Sequence, residues 1–155
     1  MHERKGKTFN FINACEIVLG DVADYVLEDV LKKGNIKDPK VLQEICIGNV
    51  LQPGAGSTSS RAAQFLAGIP HDVPLYAIDR LCSSGLQAVA CVANQIASNQ
   101  IDIGIGGGVE SMSRLGIGAS GGATGDPWVA MKSYFISQGL GADMIATMDG
   151  ISREE

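Results

Sequence analysis

Cys82 is the residue whose type and position best suit a chemical role. It lies between an apolar stretch, residues 75–78, and a segment with helical spacing of apolar residues, residues 83–98. The free N–H groups and positive dipole end of a helix start favour a thiolate. Three small residues (SSG) follow the cysteine and leave room for a substrate carbonyl. The pattern predicts a nucleophile, although free cysteines are also among the residues most often buried for structural reasons.

The surrounding chain predicts the elements that must position this cysteine. Apolar periodicity, with glycine or proline at the ends, separates helices from short apolar strands. The predicted helices are 21–33, 59–67 and 83–98, and the predicted strands are 45–50, 75–78 and 101–105. Helices and strands alternate, which predicts an α/β fold with a mainly parallel sheet and right-handed connections. Small residues throughout the third helix predict close packing on more than one side.

The chain after Ser113 has a different character. Residues 114–127 are rich in glycine and irregular, and we interpret them as a loop. Residues 116–121 fit the spacing G-x-G-x-x-G, but no strand immediately precedes them and no helix follows, so a dinucleotide site is disfavoured. Residues 128–148 predict one or two short helices, which Gly139 and Gly141 interrupt.

Two segments around the cysteine carry a family resemblance. Residues 80–88 (RLCSSGLQA) closely resemble the nucleophile motif of thiolases, and residues 103–113 (IGIGGGVESMS) resemble the glycine-rich strand and turn that follow it. The resemblance extends back through residues 47–56 and 61–70, and is greatest to the peroxisomal 3-ketoacyl-CoA thiolases. It implies an N-terminal segment at 1–20, a thiolase N-terminal core at 21–113, and the start of a glycine-rich loop domain at 114–155.

The resemblance also implies an activity. A thiolase cleaves 3-ketoacyl-CoA, or runs the reverse Claisen condensation, through an acyl thioester on the cysteine that corresponds to Cys82. The backbone N–H of Cys82 would contribute to an oxyanion hole. Acyl-CoA and coenzyme A would be substrates, with no covalently bound cofactor. A homodimer, or a partner chain that supplies the rest of a thiolase, would complete the assembly. The implied setting is fatty acid β-oxidation in the peroxisome, with the cytoplasm as the alternative.

Several family features are missing from the sequence. Thiolases also use a Gly-His-Pro histidine, an asparagine in Asn-Glu-Ala-Phe and a second cysteine in Cys-x-Gly-Gly-Gly, and none of these motifs is present. No first strand is recognisable in residues 1–19, and Asp79-Arg80-Leu81 stands where Asn-Arg-Gln is usual. We therefore expect an incomplete thiolase half with inefficient or no turnover. The alternative is a non-catalytic α/β module that acts only in assembly.

Charge and composition exclude other classes of function. The formal net charge of −5, with scattered Lys and Arg, argues against nucleic-acid binding. No metal-ligand spacing is present. The uncharged run 81–101 contains several Ser, Gln and Asn residues, so we interpret it as a buried helix rather than a membrane span. Arg61 is interpreted as a helix surface charge rather than a contact to a CoA phosphate, and Cys91 as a packing or interface residue rather than a redox one. Glu110 is interpreted as either a site residue or a turn-stabilising carboxylate.

Overall fold

The secondary structure alternates between helices and strands through most of the chain. A computed structural model describes residues 12–13, 23–112, 115–116, 126–128 and 138–154. Four strands are described: β1 Ile12–Asn13, β2 Glu44–Gly48, β3 Leu75–Ile78 and β4 Gly104–Gly108. The longer helices among the described residues are α1 Ala23–Lys33, α2 Ser57–Leu66, α3 Ser84–Ala97 and α4 Gln138–Asp149, and short 3-10 turns lie at Pro39–Val41 and Pro53–Gly56. The chain divides into two compact units, Met1–Ser120 and Gly121–Glu155, and α4 belongs to the second.

The four strands form one parallel sheet. Their order across the sheet is β1-β4-β2-β3, and every neighbouring pair is parallel. Cys46 in β2 is level with Tyr76 in β3 and Gly106 in β4. Parallel neighbours need crossover connections, which the helices between these strands provide. The predicted α/β fold with a mainly parallel sheet is confirmed.

The sheet buries side chains on both of its faces. Ile45 lies in a cluster with residues of α1 and α2, including Leu27 and Ala63. The next residue, Cys46, lies in a second cluster with Ala88 and other residues of α3. Successive strand residues point to opposite faces. The sheet therefore has α1 and α2 on one face and α3 on the other, as expected for strands buried on both sides.

Element boundaries differ from prediction where glycine is dense. The strand predicted at residues 101–105 lies at Gly104–Gly108. The prediction ended too early because glycine has a low strand propensity and made residues 106–108 resemble a turn. The first strand, which was not recognised in the sequence, is the two-residue β1 paired with β4. Helix α4 continues through the glycines expected to interrupt it. Most of the G-x-G-x-x-G segment lies outside the described residues.

Glycines in β2 and β4 allow α3 to lie directly on the backbone of the sheet. A Cβ at Gly48 would lie 2.3 Å from the carbonyl carbon of Ser84. A Cβ at Gly106 would lie 2.7 Å from Cα of Val89. Side-chain Cβ atoms are essentially never found so close to backbone atoms. The first turn of α3 is therefore held against the carboxyl end of β2, where a larger residue would push it away.

We expect Gly48→Ala to destabilise the protein strongly. Backbone atoms of α3 block the new methyl group, so the free energy of unfolding should fall by about 3 kcal/mol, the upper part of the range for overpacked cores. Urea denaturation measures this change. The control is Gly141→Ala, where nothing lies within 4 Å of the added Cβ, and which should leave helix α4 unchanged or stabilise it by up to about 1 kcal/mol. Equal stability of Gly48→Ala and the parent protein would contradict the close contact.

Candidate functional site

Cys82 lies on the turn that joins β3 to α3, as the sequence predicted. Helix α3 begins at Ser84, with Ser83 as its N-cap residue, so Cys82 immediately precedes the cap. The side chain is exposed and forms no disulfide. A reagent can therefore reach the sulfur from solvent. The position of the thiol agrees with a nucleophilic role, while the role itself and the proposed oxyanion donor remain predictions.

Hydrogen bonds from both sides fix the turn before the cysteine. Leu81 has a φ of 50°, in the left-handed region that few residues other than glycine adopt. Its N–H donates to Oδ1 of Asp79 at 2.8 Å. The hydroxyl of Ser84 donates to the carbonyl oxygen of Leu81 at 2.6 Å and accepts the N–H of Arg80 at 2.8 Å. The chain therefore makes a sharp bend from strand to helix that presents Cys82 to solvent, the geometry expected of a nucleophile elbow.

The first turn of α3 offers donors rather than negative charge. It contains no acidic residue, and the Ser83 side chain makes no capping hydrogen bond. The hydroxyl of Ser83 instead donates to the carbonyl oxygen of Arg80 at 2.9 Å. The partial positive charge of a helix start is greatest when no side chain caps it. An anion that forms beside Cys82 would therefore lie in a favourable field.

A second polar group joins the carboxyl ends of β2 and β4. The Glu110 carboxylate accepts the N–H of Val50 at 2.9 Å and that of Leu51 at 3.2 Å. The buried side chain of Asn49 donates to the carbonyl oxygen of Val109 at 2.6 Å and accepts the N–H of Gln52 at 3.1 Å. Of the two interpretations offered for Glu110, the structure therefore supports the turn-stabilising carboxylate. Asn49 was missed, because its contacts with Val109 and Glu110 join segments about sixty residues apart in sequence.

We expect Glu110→Ala to destabilise the β2 turn more than Glu110→Gln does. Alanine removes both acceptor oxygens and leaves two partly buried N–H groups without a partner, which costs about 1–3 kcal/mol. Glutamine keeps one acceptor oxygen and should lose less. Thermal or urea unfolding of the two variants gives the comparison. An equal fall in the free energy of unfolding in both variants would show that the acceptor oxygen kept by glutamine does not stabilise the turn.

Arg61 was expected as a helix surface charge, but its guanidinium holds the loop that follows α2 through hydrogen bonds. Its guanidinium donates to the carbonyl oxygens of His71 and Val73, and to Oε1 of Gln64 at 2.7 Å. It also lies 4.8 Å from the centre of the Phe65 ring. These contacts occupy the guanidinium within the fold. The residue therefore has a structural explanation that needs no ligand.

Two other cysteines pack between α3 and the sheet, Cys46 in β2 and Cys91 in α3 itself. Cys46 is fully buried, and Cys91 packs against the same cluster while Nε2 of Gln87 donates to its sulfur at 3.4 Å. The prediction that Cys91 is a packing residue on the side of Gln87 agrees with this placement. Burial raises the pKa of the Cys46 thiol from its ordinary value of 9.0 to about 11, although a hydrogen bond with Tyr76 acts in the opposite direction. Burial also raises the pKa of Tyr76.

The buried Cys46 thiol predicts a loss of stability in alkali. Its pKa is higher in the folded protein than in the unfolded chain, so its contribution is fully present below about pH 9 and is lost as pH rises towards 11. Cys46→Ala should be less stable than the parent at neutral pH, because it leaves a cavity. The difference in free energy of unfolding between the two proteins should narrow between about pH 9 and pH 11. A constant difference across that range would be the contrary result.

Neither a metal centre nor a membrane span is found in the part of the chain that the structure describes. Among these residues, no group of three or more His, Cys, Asp and Glu side chains is placed to hold a metal ion. None of the described helices is both long and apolar enough to cross a bilayer. The uncharged run around Cys82 forms helix α3, which packs on the sheet through Ala88 and Val92.

Comparison with known proteins gives consistent matches. The family model described as "Thiolase, N-terminal domain" matches residues 13–155. Human peroxisomal 3-ketoacyl-CoA thiolase is 46% identical over 132 residues, which is 84% of this chain and 31% of that protein. The dimeric peroxisomal thiolase of Saccharomyces cerevisiae matches with a TM-score of 0.72 and 36% identity, over 84% of this chain and 37% of that chain. The acetyl-CoA acetyltransferase of Bacillus anthracis matches with a TM-score of 0.69 and 28% identity, over 86% and 37% of the two chains. This chain therefore spans about a third of the length of these relatives.

Proposed function

Because this chain belongs to the thiolase family, we propose that Cys82 is the acyl-accepting nucleophile of a 3-ketoacyl-CoA acyltransferase. The observation that carries the proposal is the exposed thiol on a sharp turn at the start of α3. Residues 80–83 of the predicted motif form that turn, and residues 84–88 begin α3. Acyl-CoA and coenzyme A are the proposed substrates, and the chemistry requires no bound cofactor.

The proposed reaction is two acyl transfers. The Cys82 thiolate attacks the 3-keto carbon of the substrate, and the bond between C2 and C3 then breaks. The departing carbanion of acetyl-CoA takes up a proton, and the shortened acyl group remains on the sulfur as a thioester. The thiolate of a second coenzyme A attacks that thioester, releases acyl-CoA and restores the Cys82 thiolate. Each attack creates an oxyanion, which backbone N–H groups near the cysteine would stabilise.

The field at the start of α3 supports the first of these steps. The nucleophile needs a thiolate, and the intermediate places a second negative charge nearby. The uncapped first turn, without acidic residues, favours both. Ser84 is buried in the turn and Gly85 lies against Gly108, so these small residues let the helix start lie close to the sheet beside Cys82.

The later steps need proton transfer that these 155 residues supply poorly. The only histidines are His2 and His71, and neither corresponds to the Gly-His-Pro histidine of thiolases. A missing general base and a missing general acid each remove roughly 10²–10⁴ in rate. We therefore propose that the isolated chain accepts an acyl group on Cys82 but turns over inefficiently. A chain that brings the missing motifs would complete the cycle.

Domain extent, location and assembly are further parts of the proposal. We propose that residues 21–113 are the nucleophile-bearing core and that residues 114–155 begin a loop domain. The peroxisomal relatives favour a role in peroxisomal β-oxidation. The second candidate, assembly without catalysis, is favoured by the position of β3 at the edge of the sheet. A free strand edge can pair with another strand, and the yeast relative is described as dimeric.

Acylation of the isolated chain tests the catalytic proposal. We expect incubation with acetoacetyl-CoA to add one acetyl group to Cys82, as read by the mass of the intact protein and of its peptides. Cys82→Ala should abolish the label. Cys91→Ala, which alters a partly buried cysteine within α3, should keep it.

Two results would count against parts of this proposal. An unlabelled protein, or a label on another cysteine, would remove Cys82 from the reaction and favour the role in assembly. Rapid, repeated turnover on addition of coenzyme A would show that the chain contains a proton donor and acceptor beyond those we identify. Sedimentation analysis of the same protein gives its oligomeric state independently of the chemistry.

A further inference from the structure

The conformation of Leu81 is not explained by packing. Its φ of 50° is unfavourable for a residue with a Cβ. Its side chain is 70% exposed, so burial does not hold it in place. The left-handed conformation must therefore be held by the hydrogen bonds of the turn.

Asp79 makes the bond that acts on the strand side of Leu81. Its carboxylate Oδ1 accepts the N–H of Leu81, two residues later, at 2.8 Å. This is the local side-chain turn that Asp and Asn form readily with the backbone. On the helix side, the Leu81 carbonyl oxygen accepts the hydroxyl of Ser84 at 2.6 Å and its N–H at 3.0 Å. Leu81 is thus held at its N–H and at its carbonyl group.

The direction of Cys82 depends on this conformation. Cys82 follows Leu81 directly, and the Cα of Cys82 is placed by the backbone angles of Leu81. The helix-side bonds come from Ser84, the first residue of α3, which also accepts the N–H of Arg80 at 2.8 Å, and they would persist as long as the helix does. The bond to Asp79 is the one made by a side chain on the strand side of the bend. Without it, Leu81 could relax towards the extended region and turn the thiol away from the helix start.

We propose that Asp79 is a positioning residue for the nucleophile: its carboxylate holds Leu81 in the left-handed conformation and so keeps the Cys82 sulfur at the positive end of α3. The importance of this positioning rests on the proposed function of Cys82. The group that matters is a hydrogen-bond acceptor at position 79. An asparagine, which offers the same acceptor oxygen, should therefore serve as well as the aspartate.

Alkylation of Cys82 by iodoacetamide, read by peptide mass, tests the positioning without needing catalysis. Asp79→Ala should slow the reaction about two- to fivefold, the range expected when the Cys82 thiolate moves away from the positive end of the helix dipole. Asp79→Asn, which keeps the acceptor oxygen and removes a negative charge near the thiolate, should react at least as fast as the parent, and Asp79→Ser, a weaker acceptor, should react faster than Asp79→Ala but more slowly than Asp79→Asn. Asp72→Ala removes another exposed carboxylate in the same unit and should have no effect. Hydrogen exchange of the Leu81 N–H should be faster in Asp79→Ala alone.

A second substitution separates positioning from general stability. Glycine adopts the left-handed region about as readily as the right-handed one, so Leu81→Gly should reduce the effect of Asp79→Ala on the alkylation rate. A residue that only stabilised the fold would lower the melting temperature and show no such rescue. The proposal is wrong if Asp79→Ala reacts at the parent rate or if Asp79→Asn is as slow as Asp79→Ala. It is also wrong if Asp79→Ala slows alkylation equally with and without Leu81→Gly.

Transfer from acetoacetyl-CoA distinguishes this failure from failure of the proposed function. If the parent is acetylated on Cys82 and Asp79→Ala is acetylated equally fast, the positioning role fails and the function stands. If the parent is never acetylated but its alkylation responds to Asp79 as described, the geometry stands and the thiolase chemistry fails.

Discussion

The close contact between α3 and the sheet is the constraint on which the site depends. Gly48 and Gly106 give α3 access to the backbone of β2 and β4, and Gly85 and Gly108 lie against each other in the same contact. The helix start is thereby brought to the carboxyl end of the strands, where parallel sheets present their ligand sites. The positive end of the α3 dipole and the end of β3 consequently both lie next to Cys82.

The loops at that end of the sheet are stabilised locally rather than by the core. The bend before Cys82 is held by side-chain bonds to the backbone, and the neighbouring turn after β2 is held by Glu110 and Asn49. Most of these bonds involve groups that are partly buried or exposed, and the bond between Gln52 and Asn49 is buried. Buried apolar clusters on both faces keep the strands themselves in register. A rigid sheet thus carries loops whose geometry is set by individual hydrogen bonds.

Sequence reasoning succeeded where one segment contains its own signal. The apolar periodicity of α3 and the strand before it placed Cys82 on a turn, and its exposure agrees with that prediction. It failed where a distant partner decides the structure, as for Asn49 and for Arg61, whose partners are backbone groups of other segments. The left-handed Leu81 could not be predicted, because leucine has no preference for that conformation. The bounds predicted for the glycine-rich β4 were wrong for a related reason. Strand propensity takes no account of helix α3, which packs on this strand.

The contact between α3 and β4 also determines where this site can change during evolution. Where α3 lies on Gly48, Gly106 and Gly108, no sheet side chain separates the two backbones that could be exchanged for a larger or smaller one. Leu81 and Leu86, by contrast, are 70% and 64% exposed. Substitutions would therefore be accommodated on the solvent side of the turn, while the inner side keeps its composition.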